Sequence, residues 1–216
     1  MQPRRALIPL LVALGTIAAA RAGAQTADLV EKTIRDSWTA ASPEWQARLV
    51  QDETQRLCSL HRKEPPKEVA DAILARERAT IRYPADGKLM GDWRRGEKLA
   101  QSGYGGRFTD TPPRAENGGN CYACHRLAPA ELSFGTLGPT LLNYGKSRKF
   151  APDAVKAVYE RIYNAQAISA CTHMPRLGAS GFLTIGQIRD LVAYVMSPES
   201  PVNNRAAKDK DSKKSK

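Results

Sequence analysis

The chain has 216 residues, with 33 Lys and Arg against 22 Asp and Glu, a formal charge of +11 and 42 % hydrophobic residues. Aromatic residues make up only 6 % of it and do not interleave with a basic stripe, which argues against nucleic-acid binding. No segment carries the roughly 18 uncharged residues that favour spanning a bilayer, so no membrane-embedded role is expected.

Residues 1–24 read as a cleaved secretory signal. Arg4 and Arg5 supply the positive start, Ala6 to Ala20 is apolar, and Ala22-Gly23-Ala24 is a small-residue cleavage site. The remaining chain, from Gln25, is expected to be soluble in a bacterial periplasm. Losing Arg4, Arg5 and Arg21 lowers its charge to about +8. Half of that charge sits in residues 205–216, where six basic and two acidic residues leave no apolar side chain beyond two alanines. Such a tail has nothing to bury and reads as disordered. The part between is mildly basic and suits an acidic protein partner.

Residues 25–85 are expected to form a helical N-terminal extension. One helix opens at Ser42-Pro43-Glu44, a cap followed by Pro at the first helical position, and runs to about His61 with Trp45, Leu49 and Leu57 on its apolar side. A second starts at Pro65-Pro66 and turns Val69, Ile73 and Ile81 inward. From residue 86 to 204 the pattern sharpens. Asp92 caps a helix in which Trp93, Gly96 and Ala100 share a face, with Gly103 at its end. A helix-interior Gly costs about 1 kcal/mol against Ala, so Gly96 marks a close crossing by another element. Val155, Val158, Tyr159, Ile162 and Tyr163 recur at helical spacing behind Pro152-Asp153. Thr184 and Gln187 make a capping box for a last helix running to Met196, striped by Ile185, Ile188, Leu191, Val192 and Val195. No strand alternation is convincing, so the fold class is all-α.

The chemistry centres on Cys121-Tyr122-Ala123-Cys124-His125. Two thiols at this spacing can add to the two vinyl groups of one haem, and the next His can then ligate the iron; C-x-x-C-H is the attachment signature of haem c. A redox pair would not need the His. A zinc site would need further ligands, and only His61 and His173 remain among the histidines. One covalent haem c, bound by Cys121 and Cys124 with His125 on iron, is the expected cofactor. Because such haem is attached outside the cytoplasm to an unfolded chain, it favours export unfolded, although the Arg4-Arg5 pair leaves the twin-arginine route open. The other two cysteines, Cys58 and Cys171, form an even pair in an oxidising compartment and are expected in a disulfide, with two buried thiols as the alternative. For the sixth ligand the candidates are Met174, His173, Met90 and Met196. Met174 is preferred because it lies 49 residues after His125 in a loop stiffened by Pro175. Methionine ligation closes the iron and favours electron transfer over oxygen chemistry.

The order of a capped helix with an interior Gly, C-x-x-C-H, Gly138-Pro139, a Met in a Pro-containing loop and a terminal Leu/Val/Tyr helix resembles a class I cytochrome c over residues 86–200. The resemblance implies that Gly96 meets Leu191 or Tyr194, that Pro139 packs by the ligand ring, and that its carbonyl takes the imidazole proton of His125. Arg176 and Tyr144 are the candidates it leaves for the haem propionates.

Tyr83-Pro84-Ala85-Asp86-Gly87-Lys88, Gly118-Gly119-Asn120 before the haem motif, and Tyr163-Asn164-Ala165-Gln166 followed by Cys171-x-x-Met174-Pro175-Arg176 resemble one periplasmic family more closely. That family is SoxX, the monohaem subunit of the SoxAX complex. The resemblance implies a heterodimer with a SoxA-like cytochrome. The complex joins thiosulfate oxidatively to a cysteine of a SoxY-like carrier, an L-cysteine S-thiosulfotransferase reaction. The catalytic haem belongs to SoxA, so this chain is expected to hold no catalytic residue of its own and to pass electrons to a soluble cytochrome. Two other readings stay open on the residues alone: a free-standing periplasmic cytochrome c carrier, and a haem-based gas binder.

Overall fold

A computed structural model describes residues 29–107, 109–110 and 116–204. The expected signal segment, 1–24, and the basic tail, 205–216, lie outside the described residues. Among those described, every regular element is helical and no strand occurs, so the chain is all-α. It divides into two compact units, one ending at Arg62 and the other starting at Lys63.

In the first unit, residues 29–37 are helical (α1) and are followed by α2 (Pro43–Leu49) and α3 (Glu53–Leu60). The single helix expected from Pro43 to His61 is therefore two. Val50 leaves α2 in an extended conformation, and Asp52 then opens α3. Its carboxylate accepts from Gln55 N at 2.8 Å while the Gln55 side chain accepts from Asp52 N at 2.9 Å, a reciprocal pairing that starts a helix afresh. Helix α2 buries no side chain, whereas α3 buries Thr54 and Cys58.

In the second unit α4 (Lys67–Arg78) follows Pro66, as the Pro65-Pro66 pair suggests. Its two buried side chains are Ile73 and Glu77, one turn apart on one stripe. The division after Arg62 thus groups α4 with the C-x-x-C-H region instead of with the N-terminal extension placed before residue 86. Helix α5 (Trp93–Gln101) begins at Asp92, whose side chain accepts from Arg94 N at 2.8 Å. A short helix α6 (Tyr144–Ser147) follows the motif, and then α7 (Pro152–Tyr163) and α8 (Ile185–Met196). The Thr184–Gln187 capping box forms as expected.

Helices α5 and α8 pack face to face, and Gly96 is the reason they can. A Cβ there would lie 2.0 Å from the Asp190 carbonyl oxygen and 2.9 Å from the Tyr194 Cβ. Asp190 adds polar fixings, since its carboxylate accepts from Asp92 N at 2.8 Å and lies 3.3 Å from Arg95 Nε. The core beneath is built from α5, α7 and α8, with Tyr159, Ile188, Leu191, Val192 and Tyr194 each at most 1 % exposed. The stretch after Pro198 belongs to it as well, because Ser200 and Val202 are buried and Asn203 Nδ2 donates to Val195 O at 3.0 Å.

Candidate functional site

The C-x-x-C-H segment is a short 3-10 turn, Cys121–Ala123, entered through Asn120 in the left-handed region at φ 47°. Three backbone bonds seat the approach to it on the end of α5. Gly118 N donates to Tyr104 O at 3.0 Å, Gly119 N to Leu99 O at 2.8 Å and Asn120 N to Ser102 O at 2.9 Å. Gly118 is needed there, since a Cβ would fall 2.0 Å from the Ser102 carbonyl oxygen. On the far side the chain returns alongside the motif. The carbonyls of Tyr122, Cys124 and Arg126 accept from the amides of Gly135, Gly138 and Leu141, each at 2.8 Å. Tyr122 points inward, 7 % exposed, and its hydroxyl shares a 2.7 Å hydrogen bond with that of fully buried Tyr194 on α8. Burial pushes both phenols up, most strongly Tyr194.

The main chain of Gly138-Pro139 aims His125. Its Nδ1 lies 2.7 Å from the Pro139 carbonyl oxygen. A carbonyl can only accept, so Nδ1 carries a proton, and in the neutral imidazole the lone pair then lies on Nε2. Gly138 lies against the ring, because a Cβ on it would sit 2.2 Å from Cε1 and 2.7 Å from Nε2. The Gly138-Pro139 pair therefore does what its position beside the motif suggests.

Cys121 and Cys124 are half-buried free thiols, whereas Cys58 and Cys171 are disulfide-bonded. Desolvation pushes the Cys121 thiol up to about 12, with Cys124 adding to the rise. Met174 is half-buried and packs against the core, while the neighbouring His173 is exposed and turns both ring nitrogens to Lys63 Nζ, at 2.8 and 3.1 Å. Met196 is 1 % exposed inside the core and Met90 packs at its edge. Arg176 Nη1 lies 3.1 Å from the Glu77 carboxylate. Among the described residues no three His, Cys, Asp or Glu side chains gather as a site for a bare metal ion, and no helix is long and apolar enough to cross a membrane. An open cleft of about 380 Å³ beside the motif is lined by Asn120, Tyr122, Ala123, Glu131 and Gly135 among others, not by His125 or Met174.

Sequence reasoning missed three participants. Tyr122 sits at a variable motif position and carries no signal. Asn164 is fully buried and donates from Nδ2 to Glu77 at 2.7 Å. Glu77 had a visible signal, since it falls on the α4 stripe of Val69 and Ile73, where a charge is out of place.

Fold and site together define an all-α protein in which a C-x-x-C-H segment is clamped between the end of α5 and a Gly-Pro loop, with its tyrosine reaching α8. No protein-family model matches the chain. It is 40 % identical over 158 residues to a protein of Aquifex aeolicus (strain VF5) named "Uncharacterized lipoprotein", a match spanning 73 % of this chain and 75 % of that one. The chain belongs to the family of that protein.

Proposed function

We propose that this chain is an extracytoplasmic c-type cytochrome, and more specifically the SoxX-like electron-transfer subunit of a SoxAX-like complex. The observation that carries the haem reading is the His125 imidazole. It is oriented by the Pro139 carbonyl, holds its proton on Nδ1, and leaves Nε2 free of that bond, as a proximal ligand requires. The donor set fits haem c on two further counts. The motif cysteines are free thiols while the other two are bonded, and Gly138 leaves no side chain to displace the ring. When bound, haem c supplies a one-electron Fe(III)/Fe(II) couple.

The residues then divide the work. Cys121 and Cys124 would hold the haem covalently, and His125 and Met174 would be the residues that ligate its iron. The Lys63 contacts of His173 favour Met174 over its neighbour. The chain has no catalytic residue of its own in this reading; the thiosulfotransferase chemistry belongs to a SoxA-like partner acting on a SoxY-like carrier, and the acceptor of the electrons is a soluble cytochrome. The SoxX assignment rests on the motif resemblance. The relative's name as a lipoprotein supports an envelope location, and the signal-like residues 1–24 support the periplasm; the first cysteine of this chain is Cys58.

The test is periplasmic expression with a haem-attachment system. Intact mass should show one haem adduct, lost as a two-thioether product in Cys121→Ala and Cys124→Ala. The native protein should co-purify with a SoxA-like cytochrome. An unadducted mass ends the haem reading, and an adducted protein that isolates alone, with thiosulfate oxidation intact after its gene is deleted, returns it to a free-standing carrier.

A further inference from the structure

Helix α4 places a carboxylate where an apolar side chain is the ordinary occupant. The Glu77 side chain is 3 % exposed, and its partner Arg176 is 19 % exposed. Burying this charge costs desolvation that only good geometry offsets. The geometry is supplied by segments distant in sequence. Arg176 Nη1 lies 3.1 Å from Glu77 Oε1 and 3.3 Å from Oε2, and Asn164 Nδ2 donates to Oε2 at 2.7 Å. Asn164 also donates to Thr80 Oγ1 at 2.8 Å, and Arg78 Nε donates to Ala167 O at 3.0 Å. The end of α4 is thereby joined to residues 164–167 and to Arg176, two residues past Met174.

The same loop is held at other points. Gln166 Nε2 donates to Thr172 O at 3.0 Å, and Lys63, just ahead of α4, meets the His173 ring. Met174 itself has only a 3.4 Å bond from its amide to Thr172 Oγ1, and Pro175 after it has no N–H to donate. The position of Met174 is therefore set by what its neighbours grip, and among the described residues these grips include the disulfide-bonded Cys171 and the buried carboxylate of Glu77.

We propose that Glu77 is a positioning residue, which holds the Met174 loop through Arg176 and so governs how firmly the Met174 thioether is presented. This rests on the haem reading above, because a thioether is a neutral, weak ligand whose retention depends on a rigid loop. A pair serving only to stabilise the fold would lower the unfolding midpoint of its variants and leave ligand retention alone.

The experiment uses the matured, haem-loaded full chain and compares wild type, Glu77→Gln, Arg176→Lys and Met174→Ala. Three quantities are read: the weak red-edge absorption of Met-ligated ferric haem, the rate of imidazole binding to the ferric protein, and amide exchange in residues 171–176 against α8. Glu77→Gln should speed imidazole binding roughly tenfold, the factor expected for losing one charge-assisted hydrogen bond, and should raise exchange in 171–176 but not in α8. Arg176→Lys, which keeps the charge but loses the planar fork, should fall between, and it carries the test alone if Glu77→Gln does not accumulate. Met174→Ala should bind imidazole fast and lose the absorption. If Met174→Ala behaves so while Glu77→Gln and Arg176→Lys bind at the wild-type rate, whatever their unfolding midpoints, the positioning role is overturned and the Met174 assignment stands. If Met174→Ala keeps the absorption and the slow rate, the ligand assignment itself falls and the positioning role with it.

Discussion

At the scale of single residues, the orientation of His125 depends on two neighbours that present no functional group. Pro139 gives a carbonyl at 2.7 Å, and Gly138 gives the absence of a side chain. Gly138→Ala would press a methyl to 2.2 Å from the ring, and the ring cannot retreat without stretching its bond to Pro139. The expected cost is that of overpacking, about 1–3 kcal/mol, measured as a lowered denaturation midpoint of the cofactor-free chain. An unchanged midpoint would mean that the ring slides off Gly138 without penalty. The motif made this site legible in the sequence, since C-x-x-C-H and Gly138-Pro139 are local signals. The Glu77–Arg176 ion pair beside Met174 was not legible. Glu77 and Arg176 are 99 residues apart, and nothing in a linear pattern says which charge a buried carboxylate will meet.

At the scale of elements, the packing of α5 on α8 gives a paired test of two glycines. Gly96→Ala gains about 1 kcal/mol in helix propensity but drives its Cβ to 2.0 Å from a backbone oxygen, which cannot swing aside. The clash wins, and the variant should be clearly destabilised or fail to fold. Gly186, in the first turn of α8, has nothing nearer than 3.9 Å to an added Cβ. Gly186→Ala should therefore stabilise, by up to about 1 kcal/mol, and thermal unfolding of the two variants should move in opposite directions. Gly96, the Thr184 capping box and the period of α7 were readable because each is a short-range rule. The break between α2 and α3 was missed although Asp52 and Gln55 spell a capping box, because the run from Pro43 to His61 was read through it.

Helix α7 also carries a stack of tyrosines. Tyr83 lies on Tyr159 with ring centres 5.6 Å apart, and Tyr159 on Tyr163 at 6.0 Å. Burial pushes the phenol of fully buried Tyr159 up to about 12. The Tyr83 phenol is also raised, by partial desolvation and by its hydrogen bond to Glu160, but at 46 % exposure it contributes little to stability. The Tyr159 value exceeds the unfolded value near 10, so the folded chain keeps there a proton that the unfolded chain releases. The stability tied to it is complete below about pH 10 and is lost as pH rises through about 12. Spectrophotometric phenol titration should show a late-ionising fraction, and denaturant midpoints should decline across that window. A single titration step near 10 in the folded protein would remove this account.

For the whole molecule, the two populations of cysteine give a count that separates the cofactor reading from the covalent framework. The denatured, unreduced chain without cofactor should show two reactive thiols, those of Cys121 and Cys124, and reduction should raise this to four. After attachment through both thioethers the unreduced count should be zero. Four thiols before reduction would contradict the bonding of Cys58 and Cys171. The pairing of those two was foreseeable only as arithmetic in an oxidising compartment. The division of the chain after Arg62 was not foreseeable, because α4 shows its allegiance through Glu77 and Arg78 and not through composition.

The acceptor that aims His125 belongs to the peptide backbone, and this shapes what mutation can do to it. Every amino acid at position 139 brings a carbonyl, so no side-chain change there removes the acceptor itself, although replacing proline frees its fixed φ and the conformation of residue 138. If the proposed haem reading holds, substitutions at 121, 124 and 125 should cost attachment or ligation and one at 138 should displace the ring, whereas those at 139 should act only through backbone geometry. The group that decides where the His125 proton sits is one that no exchange of side chains can take out of the chain.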